Sequence, residues 1–194
     1  MDPAVVTPPS ADPRTRILDA ALALMSVQGS AGASMRQLAA ACGLNVATIY
    51  HYFPSKADLL RSVMEERRYG ERLGTEVPDL DPAIPARERL VGLIEWLWDN
   101  ALGEEAVWRL LVGEALRGEE VATISATEVV EALAVTLEAW LTEGFPEVEG
   151  DVGPLARVIR GQVFALVVEH LALGEVSRAD ARVRAQELAS LVFP

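Results

Sequence analysis

The chain has 194 residues, 51% of them apolar, and a formal net charge of −12. Its length allows one or two domains, and its longest uninterrupted apolar runs, such as residues 163–168, are far shorter than the roughly 18 residues of a membrane span. Cys42 is the only cysteine and there are two histidines, which excludes an intrachain disulfide and disfavours a soft-metal site.

Charge is distributed unevenly along the chain. Residues 1–70 contain seven Lys or Arg and six Asp or Glu, a net of +1, whereas residues 71–194 contain ten Arg and 23 acids, a net of −13. The acidity therefore lies in the C-terminal two thirds, and the N-terminal third stays available for an anionic partner.

The first dozen residues hold three prolines and no helical period. They lack a basic segment followed by an apolar one, so we expect a disordered arm at residues 1–12, no signal peptide and a cytoplasmic protein. Asp12 and Pro13 then predict a helix start, and the apolar spacing continues to about Val27, with Gly29 after it.

The next stretch predicts two short helices with a tight turn between them. Ser34 and Gln37 form a capping-box pattern that starts the first helix, and Gly43 suits its left-handed end. Asn45 caps the second helix, which Pro54 terminates. Two helices joined in this way are typical of a helix-turn-helix.

The residues of this motif divide into two sets. One set is apolar or small and fills the core between crossing helices: Leu38, Ala39, Cys42, Leu44 and Ile49. The second helix keeps small or hydrogen-bonding residues on its other faces, as a helix that enters the DNA major groove requires. The alternative is a generic helical hairpin with a glycine corner.

The run from Arg14 to Val63 resembles the DNA-binding domain of the tetracycline-repressor (TetR) family of transcriptional regulators. The likeness rests on the leading helix, on SMRQLAAACGL and on NVATIYHYFPSKADLL. It implies an all-α fold, with a three-helix helix-turn-helix DNA-binding domain at residues 13–73 and a helical-bundle ligand-binding and dimerisation domain at residues 85–194. It also implies a homodimeric repressor without cofactor or enzymatic activity, released from a palindromic operator by a small molecule.

The resemblance assigns DNA-binding roles by position. Arg36 matches a base-reading residue, and the start of the second helix matches the groove-entering end. Because Val46 and Ala47 form no strong hydrogen bonds with bases, we expect readout to depend on Arg36, thymine methyl groups and DNA shape. The predicted DNA-binding residues are Ser34, Arg36, Asn45, Val46, Ala47, Thr48, Tyr50, His51, Tyr52 and Lys56. Arg14 and Arg16 are either backbone contacts or solvated surface charges.

A connecting helix follows the motif. Ser55 caps it, Asp58 occupies the third position, and the pattern extends to about Leu73. Residues 74–85 are rich in turn formers and predict a domain boundary.

Five further helices are predicted in the C-terminal part. The first begins at Pro85, and the others cover about Glu104 to Leu116, Ser125–Glu143, Pro154 to His170 or beyond, and a segment starting at Ser177. The last is expected to dock through Val183, Leu188, Leu191 and Val192. A stripe of small or branched residues on the fourth predicts close approach of another helix and, with Ser125–Glu143, half of a two-fold dimer seam: Val158, Gly161, Ala165, Val168 and Ala172. Ordinary intrachain packing is the alternative.

The aromatic residues of the C-terminal part predict an effector site. Trp96 and Trp98 lie about 200° apart on one helix, so only one can face a given core. The predicted ligand-binding residues are Trp96, Trp108, Trp140, Phe164 and His170, with Phe145 nearby. Each aromatic residue alone is also a normal core residue. A cationic ligand could find Glu95 or Glu114.

Two other classes of function remain as alternatives: an enzyme built on a helical bundle, and a protein-interaction module that uses the helix-turn-helix only for packing. No phosphate-binding loop, metal-spaced His/Glu set or Cys–His nucleophile pattern favours the enzyme.

Overall fold

The computed structural model describes residues 12–66, 78–174 and 176–194, and within these ranges the regular secondary structure is entirely helical. The all-α prediction is therefore confirmed. The described helices are α1 (Pro13–Gly32), α2 (Met35–Cys42), α3 (Val46–Tyr52), α4 (Lys56–Glu66), α5 (Ala86–Gly103), α6 (Glu105–Leu116), α7 (Glu120–Gly144), α8 (Gly153–Leu173) and α9 (Arg178–Val192).

The helices belong to two compact units. The first consists of residues 1–68 together with 106–126, and the second of residues 69–105 and 127–194. The first unit thus includes nearly all of α6 and the first turns of α7, in addition to α1–α4. The domain limits drawn from the sequence, 13–73 and 85–194, remain predictions.

In the first unit, α1 packs on α2 and α4, and α2 packs on α3. Apolar side chains from all four helices are buried in this core: Ile17, Leu18, Met25, Leu38, Ile49, Leu59 and Val63. Helix α1 continues past Val27 to Gly32, but Gly29 interrupts it with φ 75° and ψ 163°. The predicted part of the connecting helix from residue 67 to residue 73 lies outside the described residues, as do residues 74–77 of the predicted boundary and residues 1–11 of the predicted arm.

In the second unit, α9 and α8 both pack against α5. The predicted core stripe of α5 is buried: Leu90, Leu93, Ile94 and Leu97. Helix α7 begins at Glu120 rather than at Ser125, because the Oε2 atom of Glu119 accepts a hydrogen bond from the N–H of Val121 at 2.8 Å and caps the helix earlier.

The prediction of which residues dock α9 is wrong in part. Val183 and Leu191 are 53% and 82% exposed, and Leu188 and Val192 are only partly buried. The buried residues are instead alanines spaced four apart: Ala181, Ala185 and Ala189. Small side chains in one row let α9 lie close against α5, which longer side chains would prevent.

Candidate nucleic-acid interface

The turn between α2 and α3 is defined by local hydrogen bonds. Ser34 and Gln37 form the full capping box at the start of α2. Gly43 ends that helix at φ 63°, in the left-handed region, where a side chain would be strained. The Asn45 side chain then accepts hydrogen bonds from the N–H of Thr48 at 2.7 Å and from its hydroxyl at 2.9 Å. These contacts set where α3 begins.

The inner face of the motif is apolar, and Cys42 belongs to it. Burial raises the pKa of the Cys42 thiol, although the nearby charge of Arg16 opposes this shift. A raised pKa favours the protonated thiol, as expected for a cysteine that packs as a small apolar residue.

The outer face of α3 is accessible. Asn45, Ala47, Tyr50 and His51 are exposed at the start and along one side of the helix. The other predicted residues of this helix are partly buried: Val46, Thr48 and Tyr52. This short helix therefore has small or polar groups near its N-terminus and hydrogen-bonding aromatic residues further along, an arrangement that suits insertion into a groove.

A cleft lies beside α3, at the start of α4. Its walls come from the end of α1, the start of α2, α3 and the first turn of α4: Ala31, Ala33, Ser34, Met35, Tyr50, Pro54, Ser55 and Lys56. Among the first-turn amides of α4, that of Asp58 already donates to the Ser55 hydroxyl at 3.0 Å, whereas those of Lys56 and Ala57 have no carbonyl partner within the helix and can bind an anion. Ser34, Tyr50 and Lys56 add polar side chains to the same cleft. We call it the phosphate cleft.

Lys56 is held in place by the main chain. Its Nζ atom donates hydrogen bonds to the carbonyl oxygens of Ala31 at 3.2 Å and Ala33 at 3.3 Å. These carbonyls lie at the C-terminal end of α1, where the helix dipole favours a cation. Because an ammonium group has three protons, one donor remains for a phosphate oxygen.

Two arginines of α1 have intramolecular partners. Arg14 pairs with Glu66 and its guanidinium lies 5.5 Å from the centroid of the Phe53 ring. The guanidinium of Arg16 donates to the Cys42 carbonyl oxygen and so caps the C-terminus of α2. Neither is simply a solvated charge.

Arg36 differs from these residues. It is exposed on the first turn of α2 and forms no hydrogen bond or ion pair with the part of the chain that the structure describes. A guanidinium in this state is available to reach a base edge, for example a guanine, without first breaking an internal contact.

The predicted effector residues do not all lie in one unit. Trp108 is buried in α6, within the first unit. In the second unit, the Trp96 and Trp140 rings meet edge to face at 5.3 Å, and His170 meets buried Trp98 in the same way at 5.7 Å. Phe164, on α8, is 46% exposed. Phe145 stacks on Phe193 at 6.2 Å as part of the core.

Sequence reasoning missed the role of one acid in the first unit. Glu114 was considered only as a partner for a cationic ligand, but its side chain is buried and accepts hydrogen bonds from Ser30 and Arg117. The sequence did indicate that Glu114 is buried, because it continues the buried face of α6 three residues after Leu111.

No group of three or more His, Cys, Asp or Glu side chains among the described residues is arranged to hold a metal ion. None of the described helices has the length and apolar character to cross a bilayer.

Residues 17–63 match the model of the tetR family of bacterial regulatory proteins. The chain is 30% identical over 111 residues to the transcriptional regulator UidR of Escherichia coli K12, a match that covers 57% of this chain and 56% of UidR. The chain thus spans just over half the length of this curated relative.

Solved structures share the fold across nearly the whole chain. A TetR-family regulator from Mesorhizobium loti has a TM-score of 0.73 at 20% identity, covering 96% of this chain and 97% of its own. FadR of Bacillus subtilis, solved in complex with stearoyl-CoA, has a TM-score of 0.60 at 19% identity, covering 92% of this chain and 96% of its own. Residues 17–63 therefore form an N-terminal helix-turn-helix domain of the tetR family of bacterial regulatory proteins, and the solved structures show that the chain as a whole shares their helical fold.

Proposed function

We propose that the protein is a sequence-specific DNA-binding transcriptional regulator that acts in the cytoplasm, as a repressor released by a small molecule. The observation that carries the proposal is the juxtaposition of an accessible, correctly capped α3 with the phosphate cleft. The named relatives are transcriptional regulators, which supports the same reading.

Within this proposal, each predicted residue has a defined task. Arg36 reads base edges, and residues 45–48 enter the major groove with little hydrogen bonding of their own. Ser34, Tyr50, Tyr52 and Lys56 bind phosphates, with His51 beside them. Because Arg14 and Arg16 are engaged internally, the number of phosphates neutralised per subunit is small, and so is the expected salt dependence of binding.

Dimerisation is the second part of the proposal. Helices α7 and α8 leave apolar side chains exposed in the second unit, among them Val135 at 70% and Phe164, together with the small residues Gly161 and Ala165. An exposed apolar surface of this kind is typical of an interaction site. A two-fold pairing of these helices would cover it and would imply an operator with two half-sites about one helical turn or a multiple apart.

The effector is the third part. The relative FadR binds stearoyl-CoA, and the aromatic residues of the second unit offer an apolar environment here. We propose that Trp96, Trp140 and His170 contact the ligand. Trp98 adds a buried indole N–H without a hydrogen-bond partner among the described residues, a donor that an acceptor group on the ligand could satisfy. Trp108 and Phe164 are weaker members of this set, since one lies in the first unit and the other at the proposed seam.

Selection of binding sites from random DNA tests the proposal directly. We expect a palindromic sequence to be enriched, and Arg36→Ala to change base preference at specific positions of it. Lys56→Ala should weaken binding to all duplexes alike and lower the salt dependence, because a phosphate contact carries no sequence information.

The matched control is Arg61→Ala. Arg61 is an exposed residue of α4 that pairs with Asp58 and does not line the phosphate cleft. This variant should bind like the wild type. Recovery of no enriched sequence by the wild-type protein would contradict the proposal, as would equal binding by the Arg36, Lys56 and control variants.

A further inference from the structure

The strongest unexplained feature of the first unit is a buried carboxylate. The Glu114 side chain, on α6, is nearly inaccessible, with the residue 2% exposed. Its Oε1 atom accepts hydrogen bonds from the N–H of Ser30 at 2.9 Å and from Nη1 of Arg117 at 2.8 Å, and its Oε2 atom accepts one from the Ser30 hydroxyl at 2.6 Å. A buried charge with this many donors is a built contact rather than a surface acid.

The chain at α1 is shaped to admit this carboxylate. Gly29 has a positive φ, and a Cβ atom at this position would lie 3.1 Å from Oε1 of Glu114. The kink turns the Ser30 N–H out of the regular helical pattern and towards α6. Gly29 is therefore required both by its backbone conformation and by the close approach of Glu114.

The residues immediately after Ser30 build the phosphate cleft. The carbonyl oxygens of Ala31 and Ala33 hold the Lys56 ammonium, and Ser34 caps α2. The N–H of Ala33 also donates to the Gly29 carbonyl oxygen at 3.2 Å, which ties this segment to the kink. Glu114 thus holds one end of a five-residue stretch, 30–34, in which Ala31, Ala33 and Ser34 line the cleft.

We propose that Glu114 is a positioning residue for DNA binding: from α6, it holds residues 30–34 in the geometry that places Lys56 and Ser34 in the phosphate cleft. This inference rests on the proposed function. Residues 106–126 join the chain of the second unit at both ends. A displacement of α6 relative to α1 therefore alters affinity for DNA through this contact.

Glu114→Gln tests the proposal, with Glu120→Gln as the matched control. Both changes remove one negative charge from the first unit, but Glu120 is exposed in the first turn of α7 and does not contact Ser30. Using a duplex recovered by selection and a random-sequence duplex, we expect Glu114→Gln to weaken binding to both by roughly tenfold, the scale of one lost charge-assisted hydrogen bond. The control should bind as the wild type does. Equal binding by the two variants would overturn the proposal.

A second comparison separates positioning from general stability. If Glu114 acts through Lys56, the double variant Glu114→Gln/Lys56→Ala should bind little more weakly than the weaker of the two single variants. Fully additive losses would refute the coupling.

Hydrogen exchange of the Ser30 amide in the DNA-free protein gives an independent readout. Exchange should accelerate by about tenfold or more in Glu114→Gln while that of the core amide of Leu38 stays unchanged. Unchanged exchange at Ser30 would show that Glu114 does not hold this amide and would overturn the proposal. Should Glu114→Gln fail to fold, Ser30→Ala removes only the hydroxyl donor and is expected to weaken DNA binding by about threefold. Wild-type binding by Ser30→Ala would then overturn the proposal.

The two proposals fail in different ways. If the wild-type protein enriches no duplex, the proposed function is wrong, and the exchange measurement alone still decides whether Glu114 holds Ser30. If the wild type binds and Lys56→Ala weakens it while Glu114→Gln does not, only the role of Glu114 is wrong.

Discussion

The start of α2 in the first unit and the start of α9 in the second use the same local device with different consequences. Ser34 with Gln37 and Ser177 with Asp180 both form complete capping boxes. The first cap orients a helix that borders the phosphate cleft, whereas the second starts a helix that packs through alanines on α5. An identical local structure therefore acquires a functional role only from what surrounds it.

The largest effect is expected at the exposed apolar face of the second unit. Phe164→Glu should convert a dimer into a monomer, because a two-fold axis would bring two new carboxylates together at a cost of several kcal/mol. Analytical ultracentrifugation measures the outcome. The matched control is Leu191→Glu, which changes an exposed apolar residue of α9 outside the proposed seam. If the Phe164→Glu variant is as dimeric as the control, the proposed dimer seam is wrong.

The core of the first unit should respond next most strongly. Ile49 lies on the inner face of α3 and is fully buried. Ile49→Ala is therefore expected to lower the free energy of unfolding by about 2–5 kcal/mol. Val27→Ala, at a position 83% exposed on α1, should change it by less than about 0.5 kcal/mol. Urea denaturation compares the two, and similar losses would mean that α3 does not pack as described.

The paired caps provide a smaller and sharper comparison. Ser34→Ala and Ser177→Ala should each lower the free energy of unfolding by about 1 kcal/mol, since each leaves a first-turn N–H without its side-chain acceptor. Only Ser34→Ala should also weaken DNA binding, measured by fluorescence anisotropy. A loss of DNA affinity in Ser177→Ala equal to that in Ser34→Ala would show that the effect follows from stability alone.

The smallest effect is expected from pH. The hydrogen bond from the Ser177 side chain holds the pKa of Asp180 below its usual value. The unfolded chain therefore takes up this proton at a higher pH than the folded protein, near the ordinary Asp value of about 3.9. The stabilisation is present above that pH and is lost as pH falls through the lower, folded pKa. Urea midpoints at about pH 6 and pH 3 should differ less in Asp180→Asn than in the wild type. An equal difference would contradict this.

Features decided by neighbouring residues were predictable from the sequence. The capping boxes, the left-handed Gly43, the Asn45 cap and the stop before Pro54 each depend on contacts within about four residues, so their patterns are visible in the chain itself. For the same reason, the helix-turn-helix and its family resemblance were correctly predicted.

Features that depend on distant partners were not predictable in this way. Periodicity indicates that a helix has an apolar face, but not which helix will cover it. Val183 and Leu191 of α9 were expected to dock and are exposed, because the alanine row permits a closer approach to α5, whereas Leu188 and Val192 pack partly buried against the core.

What the sequence by itself determined is the set of helices around the recognition motif and the chemical character of its exposed face, since short-range hydrogen bonds and glycine conformations encode both. Only the tertiary structure decided that Arg16 caps α2, that Lys56 rests on the end of α1, and that Glu114 grips Ser30 from 84 positions away. The physical reason is that the sequence around a charged side chain does not indicate which distant residue will be its partner. Its partner is whichever donor or acceptor the packing of distant helices brings within hydrogen-bonding distance.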